Sequence, residues 1–177
     1  SPAIFDENKL RWMNGEYIKR MDEGRFHEMA LPYYKSAGLP EGMDLQKVSQ
    51  LLKGRVEVLN EIPEMVDFLV NLADYDIELY VHKRSKSTLE SSYENLVKAY
   101  KVLETLDDWS EDSIKKVLFD LVEELAAKLN FVLWPVRIAA SGKQITPGGG
   151  IEILYLLGKE ESLRRLQVGI DKLKGAL

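Results

Sequence analysis

The residue string that looks most like part of a catalytic site is Lys83-Arg84-Ser85-Lys86-Ser87. Clustered lysines and hydroxyls of this kind can hold the phosphates of ATP. Such a loop works only beside a nucleotide-binding fold. Here the string follows the segment 75–80 and runs into a capping box of Ser87 and Glu90. We therefore interpret the string as a solvated connection between helices.

A run of three glycines, Gly148-Gly149-Gly150, follows Pro147 and is a second candidate for holding phosphate. Glycines let backbone N–H groups approach an anion at the start of a helix. A Walker or dinucleotide loop, however, needs a preceding strand and a different spacing. The glycines can equally form a flexible turn before a helix at 151–157, and the sequence leaves both interpretations open.

The other acid–base and ligand residues predict no chemistry. His27 stands among apolar residues, and His82 borders a charged turn with no acid or nucleophile beside it. The pairs Glu123-Glu124 and Glu160-Glu161 are adjacent on helices, so their side chains point in different directions and predict solvated surface charges. The absence of cysteine excludes disulfides, thiolate nucleophiles and cysteine zinc sites. We predict no catalytic residue and no metal site.

The charge distribution matters more than the net charge of −5. Nucleic-acid affinity comes largely from lysine and arginine, so an acidic chain argues at first against such a partner. Residues 134–177, however, contain seven basic and four acidic residues, a local charge of +3, and the remainder carries −8. An acidic body with a basic C-terminal segment is compatible with a local nucleic-acid contact.

Neither a membrane segment nor a signal peptide is predicted. No run approaches the roughly 18 apolar residues that span a bilayer, and the beginning, Ser1-Pro2-Ala3, lacks a basic region followed by an apolar stretch. We expect a soluble cytoplasmic protein without a membrane partner.

Apolar residues recur at helical spacing along almost the whole chain, which predicts an all-α fold of about eight helices. The clearest series are Leu10, Met13 and Tyr17; Leu45, Val48 and Leu52; Leu96, Tyr100 and Leu103; and Ile114, Val117 and Leu121. Asp44 and Ser110 stand where N-caps should be, and Pro63 suits a first helical turn. Gly142 and Gly158 suit left-handed C-terminal caps.

A break between two amphipathic helices lies near Leu106 to Trp109. It predicts two helical subdomains, residues 1–106 and 107–177. We see no long flexible linker or repeat, so we expect the two parts to pack against each other.

The segment Ser1 to Ile18 is similar to the stretch that follows the catalytic lysine loop in bacterial glutamyl-tRNA synthetases, which are class I aminoacyl-tRNA synthetases. Lys9, Leu10, Trp12 and Asn14 match its pattern, as do Tyr17 and Ile18. In that family the stretch leads from the catalytic part into a helical anticodon-binding region. Because the sequence begins inside a family motif, we expect it to be a fragment.

Later motifs extend the resemblance over essentially the whole chain. They are Leu51 to Val56, Trp134 to Gly142, Thr146-Pro147-Gly148, Leu156 to Glu160 and Leu163 to Leu166. Their order and spacing resemble the C-terminal signature of the same synthetases. The resemblance therefore implies the C-terminal anticodon-binding domain of a bacterial-type glutamyl-tRNA synthetase. The basic string at 83–87 imitates the catalytic lysine loop of these enzymes with one letter changed, but we do not interpret it as that loop, because the sequence predicts no nucleotide fold beside it.

The resemblance assigns roles to individual residues. Arg137 matches the arginine that contacts the first anticodon base, and Thr146 and Pro147 match the turn against which the middle base packs. Arginine suits this task because its planar group can hydrogen-bond a base edge and stack on its face. The family commonly has one glycine after the proline, so the three glycines here make the turn longer, and Ile151 becomes the candidate apolar partner.

In the first subdomain, Lys53 or Arg55 lies near the position that some members use to accept the third anticodon base. The alternative for both is a solvent-facing helix charge. The resemblance places this subdomain near the inner corner of the tRNA and the second one at the anticodon loop.

The expected partners follow from the same family. They are a glutamate-accepting tRNA and the N-terminal catalytic domain of a parent chain, with no DNA and a monomeric state. The parent would join glutamate to tRNA with ATP and magnesium, whereas this fragment would hold no cofactor and have no activity alone.

The sequence is also compatible with two other functions. A helical adaptor that binds protein through an apolar groove predicts an exposed apolar helix face and no salt-dependent tRNA affinity. A small complete enzyme would have to use the basic string at 83–87, although the sequence predicts no nucleotide fold and no convincing acid–base group.

Overall fold

A computed structural model describes residues 6–177, so the beginning of the motif that starts at Ser1 lies outside the described residues. The chain divides into two compact units, Ser1–Val70 and Asn71–Leu177. The helices of the first unit are α1 (Glu7–Arg20), α2 (Glu23–Ala37), α3 (Leu45–Leu52) and α4 (Ile62–Val70), with a 3-10 turn at Leu59–Glu61.

An aspartate starts each of the first three helices. The carboxylates of Asp6, Asp22 and Asp44 accept from the N–H three residues further on, at 3.1, 3.2 and 3.0 Å. Each bond satisfies a donor that has no partner within its own helix. The prediction of Asp44 as an N-cap is confirmed, and Pro63 lies in the first turn of α4 as predicted.

The core of the first unit forms around α2, which packs against α3 and α4. Phe26, Ala30 and Tyr34 recur every four residues and are almost fully buried. The oxygen of Ser49 on α3 lies 2.8 Å from the Tyr34 hydroxyl oxygen and 2.7 Å from His27 Nδ1. Burial raises the pKa of Tyr34 to about 12. His27 is therefore a packing histidine.

Helix α1 presents its regular apolar face to solvent. Leu10, Met13 and Tyr17 share a face, as their spacing predicts, but all three are about half exposed. The helix instead buries Gly15 and Ile18. A Cβ added at Gly15 would lie 3.1 Å from Glu57 Cγ, so the small residue permits a close approach.

The second unit contains a 3-10 turn at Ile77–Tyr80 and five helices. These are α5 (Leu89–Glu104), α6 (Glu111–Glu124), α7 (Leu129–Ser141), α8 (Gly150–Leu157) and α9 (Lys159–Ala176). Among the described residues the one β feature is an isolated bridge between His82 and Ser87, and no strand forms. The predicted all-α fold is confirmed, with nine α-helices in residues 6–177 where the sequence predicts about eight.

Helix α5 is the centre of the second unit and packs against α6, α7 and α9. Its Leu96, Ala99 and Leu103 have no exposed surface. The close crossing of α9 depends on Gly169, where an added Cβ would lie 2.5 Å from Tyr80 Oη and 3.0 Å from Leu96 Cδ2. Only glycine fits at this position without displacing its neighbours.

The packing of α5 explains why the sequence misplaced the boundary between the units. The sequence predicts a division after residue 106, whereas the structure divides the chain between Val70 and Asn71. The break near Leu106 is real, because α5 ends at Glu104. The apolar face of α5, however, points to helices that come later in the chain, and helical spacing does not reveal which helices a face will contact.

One local prediction at the start of a helix also changes. The cap of α5 is Thr88, whose hydroxyl accepts from Ser91 N–H at 3.0 Å, so the box lies one residue after the predicted Ser87 and Glu90. Ser87 is instead drawn into the bridge with His82. Ser110 caps α6 as predicted.

Glu161 differs from the predicted solvated charge. Its carboxylate accepts from Arg164 Nη2 at 2.7 Å and from Arg165 Nε at 2.9 Å. Arg165 is fully buried, and its Nη1 donates to the carbonyl of Ala140 at the end of α7 at 2.7 Å. Glu161 therefore balances a buried cation that ties α9 to α7.

No helix among residues 6–177 is long and apolar enough to span a membrane.

Candidate functional site

Helix α7 carries the residues at the centre of the candidate site, and its geometry depends on Pro135. A proline inside a helix cannot donate to the carbonyl four residues earlier, here that of Phe131. The buried side chain of Asn95 on α5 donates to this carbonyl instead, with Nδ2 3.1 Å from the oxygen. The helix therefore continues through Trp134 to Ser141 without leaving that acceptor unsatisfied.

Two contacts fix the position of the Trp134 side chain. Its indole Nε1 donates to the carbonyl of Leu79 at 3.0 Å. The imidazole ring of His82 lies on its face, with ring centroids 3.7 Å apart and planes 13° from parallel. A stacked pair of this kind is a flat, polarisable surface of fixed orientation.

His82 is held in turn by Ser85. The N–H of Ser85 points at His82 Nδ1 at 3.2 Å, and the Ser85 hydroxyl oxygen lies 2.8 Å from the same nitrogen. Because Nδ1 accepts the backbone N–H, a neutral His82 carries its proton on Nε2. The turn at 83–86, the imidazole and the indole thus form one hydrogen-bonded and stacked group.

Arg137 lies one turn after Trp134 on α7. Its Nη1 donates to the carbonyl of Gln144 at 3.1 Å, and its Cζ is 6.0 Å from the centroid of the indole ring of Trp134. The helix ends at Gly142, which has a φ of +68° as the predicted left-handed cap requires. The arginine side chain therefore joins the helix to the loop that follows it.

The loop from 142 to 150 turns back against α7. The Thr146 hydroxyl donates to the carbonyl of Gly148 at 2.7 Å, and Thr146 is 2% exposed. Gly148 has a φ of +79°, a conformation that favours glycine. The carboxylate of Glu152 accepts from Gly149 N–H at 3.0 Å and closes the start of α8.

The third glycine has a packing reason. A Cβ at Gly150 would lie 3.3 Å from Val136 Cγ1 and 3.4 Å from the nitrogen of Arg137. The start of α8 therefore approaches the backbone of α7 more closely than a larger residue allows. Of the two interpretations of the glycine run, these contacts favour the structural turn, which brings Ile151 beside Arg137.

These elements surround a cleft of about 630 Å³. We name it the Arg137 cleft, and its walls include His82, Trp134, Arg137, Ile145, Ile151 and Asn130. Of the predicted site residues it brings together Arg137 and Ile151, while Thr146 and Pro147 shape the loop without lining the cleft. A space of this size, with cationic, aromatic and apolar walls and one carboxylate, that of Glu152, can accept a planar polar group.

The sequence analysis missed His82, Asn130 and Ile145 as cleft residues. The stack of His82 on Trp134 joins positions far apart in the chain, and no spacing rule signals it. Ile145 could have been found from the sequence, because it is a bulky apolar residue in a polar loop. In the structure its side chain is 80% exposed.

Lys53 and Arg55, the predicted site residues of the first unit, have different surroundings. Lys53 Nζ donates to the carbonyl of Lys19 near the end of α1. That contact is a helix C-terminal cap, where a cation is favourable. Arg55 is exposed in the turn after α3, and no other described residue forms an ion pair or hydrogen bond with its side chain. Within residues 6–177, no three His, Asp or Glu side chains are grouped to hold a metal ion.

Comparison with known proteins decides the family. A family model described as an anticodon binding domain matches residues 25–170. The chain belongs to this anticodon-binding family. The matched range includes every predicted site residue in both units, and the fold described above is therefore that of an anticodon-binding domain.

Relatives of this family member are glutamate–tRNA ligases. One from Clostridium botulinum (strain Hall) is 54% identical over 174 residues, which is 98% of this chain and 36% of that protein. One from Clostridium tetani is 50% identical over 177 residues, again 36% of that protein. The chain thus spans about a third of the length of these relatives.

Two solved structures share the fold. A glutamate tRNA ligase from Elizabethkingia meningosepticum, solved in complex with its amino acid, matches with a TM-score of 0.78 at 20% identity, over 98% of this chain and 34% of that one. The glutamate-tRNA synthetase from Elizabethkingia anophelis matches with a TM-score of 0.72 at 21% identity, over 97% and 33%.

Proposed function

We propose that this chain is the tRNA-binding part of a glutamate–tRNA ligase and that it reads the anticodon. The observation that carries the proposal is the 54% identity to such a ligase along 98% of the chain. The joining of glutamate to tRNA, with ATP and magnesium, is proposed for a longer protein that contains this chain and a catalytic domain.

The chemistry of the Arg137 cleft suits unpaired RNA bases. Sequence-specific RNA recognition usually targets loops, whose splayed bases stack on aromatic rings and hydrogen-bond through their exposed edges. The fixed His82–Trp134 stack supplies a ring surface, and Arg137 supplies a planar donor group. The partner is therefore a loop of tRNA and not duplex DNA, and we expect a cytoplasmic monomer.

For the first anticodon base we propose Arg137. Its hydrogen bond to Gln144 fixes the guanidinium at the wall of the cleft, which reduces the entropy lost when a base binds. An arginine held in this way can contribute to base discrimination and not only to charge attraction.

For the middle base we propose the turn at Thr146 and Pro147 together with Ile151. The Thr146 hydroxyl proton points inward to Gly148, so this residue would act by holding the turn in shape. Pro147 is partly exposed and Ile151 lines the cleft, and these two side chains would provide apolar contact.

For the third base we propose Arg55 and not Lys53. The ammonium group of Lys53 already caps α1, whereas the guanidinium of Arg55 lies in solvent. In this proposal the first unit meets the inner corner of the tRNA and the third base, and the second unit binds the anticodon loop.

Direct titration tests the proposed function. The purified chain is mixed with a labelled anticodon stem-loop of glutamate tRNA, and with a stem-loop of equal length whose three anticodon bases are changed. We expect clear preference for the first RNA, measured by fluorescence anisotropy at several salt concentrations. Equal affinity for both would overturn the proposal.

A further inference from the structure

The basic string at 83–87 is rigidly held and not a flexible loop. His82 and Ser87 exchange two backbone hydrogen bonds, each 3.1 Å long, and the four residues between them form the turn. Lys86 lies at a φ of +57° within it. Since Ser85 is also bonded to His82, the turn keeps a fixed position relative to the indole ring of Trp134.

A second cavity opens beside this turn, with a volume of about 380 Å³. We name it the basic pocket, and its walls include Arg84, Lys86, Lys128, Leu129, Asn130 and Phe131. Three of these side chains are cationic, and no carboxylate of residues 6–177 lines the pocket. This is unusual in a chain whose net charge is −5.

The three cations are exposed and have no counterion among the described residues. The side chains of Arg84, Lys86 and Lys128 form no hydrogen bond or ion pair with any residue of 6–177. Lys116 of the same unit, by contrast, pairs with Asp120 at 2.8 Å. Like charges gathered without a counterion create a positive potential that favours an anion from outside the chain.

The basic pocket and the Arg137 cleft share walls. Arg84, Ser85 and Asn130 line both cavities. An RNA strand that places a base against Trp134 and Arg137 would therefore carry its backbone across the pocket. Leu129, which is 39% exposed, offers an apolar surface for a ribose beside the cations.

We propose that the basic pocket binds backbone phosphate of the tRNA strand whose bases enter the Arg137 cleft. This inference rests on the proposed function and adds a second contact to it. Phosphate contacts position a nucleic acid and set its register, whereas base contacts specify sequence. The pocket thus contributes affinity and register, and Arg137 contributes discrimination.

The test compares two triple variants with equal loss of charge. The first is Arg84→Gln, Lys86→Gln and Lys128→Gln. The control is Lys98→Gln, Lys101→Gln and Lys174→Gln, which removes three exposed lysines that line neither cavity. Both are titrated with the two stem-loops across a range of salt concentrations, after their melting transitions are shown to match the parent.

We expect the pocket variant to bind both stem-loops more weakly by the same factor. The slope of log affinity against log salt should fall by about 2, because each neutralised phosphate of a single strand contributes about 0.7. Between about 50 and about 200 mM salt, the affinity of the unsubstituted chain would then fall roughly 16-fold more than that of the pocket variant. The control variant should keep a slope close to that of the parent.

The results separate this inference from the proposed function. If the pocket variant keeps the salt slope of the unsubstituted chain, or if the control variant loses as much slope, the proposed phosphate contact is wrong and the anticodon preference still stands. If the unsubstituted chain shows no anticodon preference but the pocket variant has a reduced salt slope, base reading is wrong and the phosphate contact stands. If the unsubstituted chain binds neither RNA, the proposed function and the phosphate contact are both wrong.

Discussion

The imidazole of His82 lies flat on the indole of Trp134, with ring centroids 3.7 Å apart. The stack joins the turn at 83–86 to α7 and fixes one wall of the Arg137 cleft. Since an aromatic pair contributes about 0.5–1.5 kcal/mol beyond its buried area, its loss should affect both stability and binding.

Two replacements of His82 distinguish the contribution of its ring surface to RNA binding from the contribution of its hydrogen bonds. We expect His82→Phe to keep the stack and most of the RNA affinity, and His82→Ala to weaken binding severalfold. The measurement is anisotropy with the glutamate stem-loop, beside a thermal melt of each variant. Equal binding by the alanine and phenylalanine variants would show that the stack has no part in RNA recognition.

Arg137→Ala should lose roughly 1–3 kcal/mol of affinity for the correct anticodon, with little change in the salt slope. Arg137→Lys keeps the charge but not the planar fork, so it should also lose discrimination at the first base. The RNAs differ only at that base, and Lys174→Ala is the control for diffuse attraction. If Arg137→Ala weakens every RNA equally, Arg137 does not read the base. A matching melting transition is required, because the variant also loses the bond to Gln144.

The first unit provides a paired comparison. Arg55→Ala should reduce discrimination at the third anticodon base and leave the melting temperature unchanged, because its side chain is exposed. Lys53→Ala removes the cap on the carbonyl of Lys19, so it should lower stability by about 1 kcal/mol and leave discrimination intact. The reverse pattern would assign the third base to Lys53.

Gly169→Ala should destabilise the second unit by about 1–2 kcal/mol, because overpacking outweighs the better helix propensity of alanine. The new methyl group would meet Tyr80, Leu96 and Ala139 within 3.0 Å. Gly175→Ala is the matched control on α9, since nothing lies within 4 Å of its position. Urea unfolding of both variants checks this, and a stabilised Gly169→Ala would contradict the close crossing.

Glu161 makes stability depend on pH. Hydrogen bonds from Arg164 and then Arg165 outweigh burial and lower its pKa from the ordinary 4.5 to about 2. The folded state therefore holds this proton less tightly than the unfolded state. The stabilisation is present above about pH 4.5 and is lost as the pH falls toward 2.

Glu161→Gln should lower the melting temperature at pH 7 and flatten its decline between pH 5 and pH 2, because the buried Arg165 loses its carboxylate. Glu160→Gln, at an exposed neighbouring position, is the control and should follow the parent curve. If the melting temperature of Glu161→Gln declines with pH as steeply as that of the unsubstituted chain, the Glu161 carboxylate does not cause the acid sensitivity.

Local features of the fold were predictable from the sequence. Caps at Asp44 and Ser110, a helical turn at Pro63 and a left-handed residue at Gly142 each depend on a few adjacent residues. The all-α class follows for the same reason, since helical spacing of apolar residues is a local pattern. The family resemblance, carried by motifs from Leu51 to Leu166, is confirmed by the family match.

Contacts between distant segments were decided by the tertiary structure alone. The spacing of Leu10, Met13 and Tyr17 predicts one face of α1 correctly, yet that face is exposed. The apolar face of α5 is buried against later helices, which moves the boundary of the units to Val70 and Asn71. A helical pattern states which residues share a face, but the partner of that face depends on the rest of the chain.

The same limit applies to the candidate site. The sequence by itself singled out Arg137, the Thr146-Pro147 turn and Ile151, and it left Lys53 and Arg55 as alternatives. Only the tertiary structure brings His82 onto Trp134 and places Arg84 beside Lys128, because these pairs are separated by many residues and no local rule links them. The residue types that can bind RNA are written in the sequence, while the cavities that they form together depend on how α5, α7 and the turn at 83–86 pack.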